Sequence, residues 1–128
     1  AQLYTPHQAG LALLEGRICL LSGGTGNPFF TTDTAAVLRA LELDLDIVFK
    51  GTKVDGLYSA DPQKDPDARF ISSTNFAQCI EQKLGVMDMT AFSLAQENSM
   101  PVKIFNINKP DGLCQAISNP ENGTYIHP

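Results

Sequence analysis

The chain has 128 residues, 43% of them hydrophobic and 18% charged, which is the balance of a folded globular domain long enough to bury a core. Its formal net charge of −5 argues against a nucleic-acid surface, which needs clustered Lys and Arg. A nucleotide site needs only a few local cations and backbone N–H groups, so that class stays open.

No apolar run approaches the roughly 20 residues that cross a bilayer. The opening Ala1-Gln2-Leu3-Tyr4-Thr5-Pro6 lacks the basic and apolar regions of a secretory leader. Cys19, Cys79 and Cys114 are scattered, with no C-x-x-C pair, and read as reduced thiols of a cytoplasmic protein, Cys19 and Cys79 in the core. His7 and His127 stand beside prolines without a partner at metal spacing and are expected at the surface.

In chain order, Pro6 to Glu15 reads as a helix, with proline in its first turn and Gly16 as the stop. Ile18-Cys19-Leu20-Leu21 has the continuous apolar character of a strand covered on both faces. A glycine-rich loop follows, and Thr32 or Asp33 caps a helix carrying Ala36, Val37, Ala40 and Leu41 at helical spacing. Ile47-Val48-Phe49 predicts a second strand. The long stretch from Val54 to Ala68, broken by Gly56, Pro62 and Pro66, predicts a functional surface loop with a small hairpin at Leu57-Tyr58.

Phe70-Ile71-Ser72 predicts a short strand. Helices are expected at about Asn75–Leu84 and Thr90–Asn98, the second capped by Asp88. Val102-Lys103-Ile104-Phe105 predicts a third firm strand, Leu113–Ser118 a short helix and Thr124-Tyr125-Ile126 a last strand. Strands alternating with helices place the chain in the α/β class with a mainly parallel sheet. Entry on a helix with no strand before it suggests part of a larger sheet, a fragment or truncated chain.

Three segments carry candidate chemistry. Gly23-Gly24-Thr25-Gly26-Asn27-Pro28 joins a strand to a helix, where glycines let the backbone approach a ligand and the helix N-terminus offers free N–H groups. The plain alternative is a tight turn without a ligand. No G-K-[ST] follows, and Phe29 stands where a dinucleotide fingerprint has its third glycine. Phe29 and Phe30 could sandwich a base while Thr25, Asn27, Thr31 and Thr32 supply polar partners; otherwise one phenylalanine packs in the core and one threonine caps the helix.

The second segment, Lys50 to Pro62, brings Lys50 and Lys53 for phosphates, Tyr58 for stacking, and Asp55 and Asp61 as acceptors for ribose or base. Such residues in a loop are more often simply solvated. In the third, Asp88 is either a helix cap or an anchor for catalytic lysines or a metal ion.

Taken together, the chain resembles the uridylate kinase branch of the amino-acid kinase family. The resemblance rests on Gly24 to Asp33, Lys50 to Tyr58, Ala60-Asp61-Pro62, Lys64-Asp65-Pro66, Val86-Met87-Asp88 and Phe105-Asn106-Ile107-Asn108-Lys109-Pro110, which run in the family's order over nearly the whole chain. It implies a three-layer α/β/α sandwich about a mainly parallel sheet, with residues 1–128 as the C-terminal nucleotide-binding portion. It further implies Mg2+-dependent transfer of phosphate from ATP to UMP in pyrimidine nucleotide synthesis. Thr25, Gly26, Asn27, Pro28, Phe29, Phe30, Thr31 and Thr32 would hold UMP. Thr52, Tyr58 and Asp61 would hold ATP with Lys50 and Asp55 nearby, and Asp88 would organise the transfer centre.

The resemblance also implies a homohexamer that responds to GTP and UTP. The family's N-terminal half supplies a glycine-rich phosphate loop, a catalytic lysine and further UMP contacts, none of them in these residues, so the chain alone is expected to be inactive. The alternatives are a kinase of a carboxylate such as acetylglutamate or aspartate, against which the Phe29-to-Thr32 segment counts, and a non-catalytic nucleotide- or anion-binding protein on the same fold.

Overall fold

The structure, a computed structural model, describes residues 2–85 and 87–128. Thr5 starts helix α1 (Pro6–Leu14) by accepting the Gln8 N–H, with Pro6 in the first turn. Gly16, at φ +75°, ends it, and the Arg17 N–H returns to the Ala12 carbonyl at 3.0 Å. Three more helices close with the same left-handed turn: α2 (Thr32–Glu42) at Asp44, α3 (Phe76–Glu81) at Lys83 and α4 (Met89–Glu97) at Ser99. None of these three closing residues is glycine.

A four-stranded sheet runs in the order β1 (Val48–Thr52), β5 (Val102–Asn106), β6 (Thr124–His127), β4 (Ser73–Asn75). The outer two pairings are parallel and β5–β6 is antiparallel, so the sheet is mixed with parallel pairs in the majority. Alternation along the strands separates its faces. Val48, Val102, Ile104 and Ile126 join Val37, Ala40, Phe76, Cys79, Ala91, Phe92 and Ala95 of α2, α3 and α4 in one core. Lys103 points the other way, and its buried ammonium donates to the carbonyls of Ala116, Asn119 and Pro120 at 2.9, 2.9 and 3.3 Å, holding the end of α5 (Gly112–Ser118). Burial holds the Lys103 pKa below the usual lysine value. The result is a three-layer α/β fold.

The long loop contains the expected hairpin: β2 (Leu57–Tyr58) pairs antiparallel with β3 (Phe70–Ile71). Thr124 fastens its base, since its Oγ accepts the Leu57 N–H at 2.8 Å and donates to the Ile71 carbonyl. Gly56 fits there because a Cβ would come within 2.5 Å of that Oγ and 2.9 Å of the Phe70 ring.

Several expectations are corrected. Ile18–Leu21 forms no strand, and Ile18 and Leu20 are 90% and 93% exposed. A strand exists only through a partner's ladder, and none of the described strands pairs with this run. Among the described strands, β1 at the end of the sheet pairs with β5. Cys79 is buried, whereas Cys19 is only half-buried. Thr31, not Thr32 or Asp33, caps α2, and Ala35 rather than Ala36 faces the core. Strand β4 was not anticipated, because Ser73-Thr74-Asn75 is polar throughout.

Candidate nucleotide site

The parallel strands β1 and β5 end side by side, with Thr52 opposite Asn106. The N-termini of α2 and α4 carry side chains that meet each other and Lys50 of β1, and the loop Gly23–Phe30 leads into α2. Gly23, Gly24 and Gly26 adopt φ of +88°, +64° and +75°, which L side chains rarely reach, so the glycines are required by the backbone itself. Thr25 Oγ accepts the Asn27 N–H at 3.1 Å and closes the turn. Gly23 to Gly26 line an open groove of about 1140 Å³ together with Gln2 to Thr5, α1, Cys19 to Ser22, α2, Leu45, Ile47 and Val48.

Phe29 is fully exposed at φ +70°, and Phe30 is half exposed. Core packing of one phenylalanine is therefore not found, and both rings are accessible to a planar ligand. Asn27, Pro28 and Thr32 are likewise exposed.

Thr31 has two tasks. Its Oγ accepts the N–H groups of Asp33 and Thr34, and its hydroxyl donates to Asp88 Oδ2. Asp88 in turn caps α4, with Oδ1 accepting the Thr90 and Ala91 N–H groups at 3.0 and 3.1 Å, while the Thr34 hydroxyl lies 3.3 Å from both oxygens. Partial burial opposes the Asp88 charge, but these hydrogen bonds outweigh it and hold the pKa below the ordinary aspartate value. Beside this knot, Lys50 at the middle of β1 forms an ion pair with Asp33 at 2.5 Å, both side chains about three-quarters buried. Lys50, Thr31 and Asp88 are thus gathered around one helix N-terminus. The Val86 of the third motif lies outside the described residues.

The other residues expected on the ATP side are each held by a different partner. Thr52 is fixed to its own loop, its hydroxyl donating to Val54 O at 2.8 Å. Asp55 accepts from Lys109 and Asn106. Tyr58 meets Phe70 edge-on, ring centres 5.4 Å apart. Asp61, exposed, caps its own turn by accepting the Gln63 N–H.

Sequence reasoning overlooked Asp33 and Thr34 as partners of Lys50 and Asp88, and assigned no role to Asn106 and Lys109. Asp33 had a usable signal, an acid in the first turn of a helix. Among the described residues no three His, Cys, Asp or Glu side chains form a metal-binding group. Mg2+ usually takes one or two carboxylates and completes its shell with phosphates and water. Asp33 and Asp88 are already committed to Lys50 and to Thr31 and Thr34, so the described residues build no cage for it.

The sequence pattern described as "Amino acid kinase family" matches residues 4–106. Uridylate kinase of Haemophilus influenzae is 46% identical over 123 residues, which is 96% of this chain and 52% of that protein. Uridylate kinase of Shewanella denitrificans is 51% identical over 114 residues, covering 89% and 47%. The crystal structure of UMP kinase from Ureaplasma parvum superposes with a TM-score of 0.92 at 33% identity, over 98% of this chain and 54% of that one. The chain spans about half the length of the curated relatives it matches.

Proposed function

Because the chain belongs to the amino acid kinase family, we propose that it is the nucleotide-binding part of an ATP:UMP phosphotransferase. The observation that carries this reading is the meeting of Thr31, Asp33, Lys50 and Asp88 between two loops that end on exposed, ligand-accessible groups. Thr25 to Thr32 serve as the UMP side, with Phe29 and Phe30 offering ring faces to the base. Thr52, Tyr58 and Asp61 serve as the ATP side, with Lys50 and Asp55 nearby. Transfer of a phosphoryl group needs little covalent chemistry from the protein and depends on alignment and on cations at the developing charge.

In this reading the Lys50 ammonium neutralises phosphate oxygens. Asp33 keeps it oriented, and Asp88 fixes the two helix N-termini against each other so that the loop before α2 holds its place. ATP brings the phosphate to be transferred, together with Mg2+. Membership of pyrimidine nucleotide synthesis, a cytoplasmic setting, a homohexamer and responses to GTP and UTP belong to the same proposal and rest on the family resemblance. No helix among the described residues is long and apolar enough to cross a membrane.

The isolated chain is expected to bind nucleotide but not to turn over, since it spans half a relative's length. The test is ADP formation on a panel of UMP, CMP, aspartate and acetylglutamate, run with the 128-residue chain and with a full-length kinase carrying it. UMP-dependent turnover by the full-length protein alone supports the proposal. Robust turnover by the chain itself, or preference for a carboxylate, refutes it. In the full-length kinase, Asp88→Asn should lower kcat much more than it raises the KM for ATP; an unchanged kcat would remove Asp88 from the transfer centre.

A further inference from the structure

We propose that Asp55 is a positioning residue rather than a nucleotide ligand: locked to Lys109 and Asn106, it holds the loop after β1 in the shape that receives ATP, an inference that rests on the reading above. One oxygen, Oδ1, takes both bonds, from the Lys109 ammonium at 2.8 Å and from the Asn106 amide at 2.9 Å. Asn106 is held in turn, because its own Oδ1 accepts the Asn108 N–H at 3.0 Å. The lock therefore ties the loop leaving β1 to the loop leaving β5.

The surroundings are built to bring those loops together. The Ile107 N–H continues the β1–β5 ladder to Thr52 O at 3.0 Å. Gly51 lets Ile107 lie across β1, where a Cβ would come within 2.9 Å of its Cδ1. Gly112 lets α5 start against the Asn106 carbonyl, where a Cβ would stand 2.4 Å away. Lys109 thus emerges from a short, tightly anchored segment and reaches Asp55 from a fixed base.

Charge gives the lock its reason. Asp55 lies three residues beyond Thr52, on the side assigned to ATP, a polyanion that a bare carboxylate would repel. Lys109 cancels that charge while using it to restrain the backbone. The Asp55 pKa lies below the ordinary value, first because of the Lys109 bond and then because of Asn106. Both side chains are substantially exposed, 54% for Lys109 and 40% for Asp55, and such pairs contribute little to global stability. The effect belongs to the loop.

The experiment uses a full-length kinase carrying this chain and its variants Asp55→Asn, Lys109→Met, Lys109→Arg and Asp55→Asn with Lys109→Met. Amide exchange of Lys53 to Gly56 is measured without nucleotide, and ATP affinity by calorimetry. Asp55→Asn and Lys109→Met should each speed exchange and weaken ATP by about fivefold, with the urea midpoint unchanged and Lys109→Arg close to the parent. The double variant should bind ATP no worse than Lys109→Met, because the charge that repels phosphate is gone. Losses that multiply in the double variant would mean that Asp55 touches ATP directly and overturn the inference; so would unchanged exchange. If the unsubstituted full-length kinase binds no ATP, the donor-site reading fails, and the exchange rates alone then decide whether the lock exists.

Discussion

Asp88 joins α4 to α2, and truncating it tests whether that knot has the energetic role its geometry implies. Asp88→Ala removes the N-cap of α4, a loss of about 1 kcal/mol. It also strips the partner from Thr34, whose hydroxyl belongs to a residue only 3% exposed; an unsatisfied buried polar group costs about 1–3 kcal/mol. Together these give roughly 3 kcal/mol. For 128 residues, with an unfolding entropy of about 2.1 cal/mol/K per residue, that lowers Tm by roughly 10 °C.

Asp88→Asn is the informative comparison. Its amide oxygen can still accept the Thr90 and Ala91 N–H groups, while its NH2 faces hydroxyls that can turn to accept, so only the charge assistance is lost, about 1 kcal/mol.

The pH dependence has a definite sign. The folded Asp88 pKa lies below its unfolded value, so its stabilisation is complete above the ordinary carboxylate range and disappears as pH falls through the folded pKa. The cost of Asp88→Asn should therefore be present at pH 7 and shrink below pH ~4. Urea unfolding of the three proteins at several pH values measures both effects. Equal costs for alanine and asparagine, or an asparagine cost that grows in acid, would refute the reasoning.

Other outcomes follow from single contacts. Lys103→Met should destabilise the chain by about 2 kcal/mol, because three carbonyls at the end of α5 lose a charged donor; a neutral result by chemical denaturation would contradict the capping role. Lys83→Gly should raise stability by about 0.5–1 kcal/mol, since Lys83 closes α3 at φ +53° where glycine is unstrained, and calorimetry would read a higher Tm. Gly56→Ala should loosen the β2–β3 hairpin and accelerate proteolysis between Tyr58 and Phe70, because the new methyl collides with Thr124.

The elements that could be read from sequence were those whose signal is local. Val102 to Phe105 and the helix from Thr32 declare themselves through periodicity, and Asp88 through its place before a helical run. Ser73 to Asn75 could not be foreseen, because it becomes a strand only by lying beside Thr124 to His127, a pairing across about fifty residues of chain. Ile18 to Leu21 failed for the opposite reason, having strand character without a ladder.

The site divides in the same way. The glycine loop and Lys50 were visible, whereas the pairing of Lys50 with Asp33, and of Asp55 with Lys109, depends on which strands end side by side. The two phenylalanines could not be placed by hydrophobicity, which puts them in a core, while the loop's left-handed turns hold them outside it.

The exposed run from Ile18 to Leu21 has a practical consequence for handling the chain in solution. Ile18, Leu20 and Leu21 expose apolar surface, the last two along the groove they share with Val48, and such a patch recruits a neighbouring molecule. The net charge of −5 keeps molecules apart, and added salt screens it. The chain should therefore be colloidally stable when dilute and at low ionic strength, and should turn cloudy first where salt and concentration are both high.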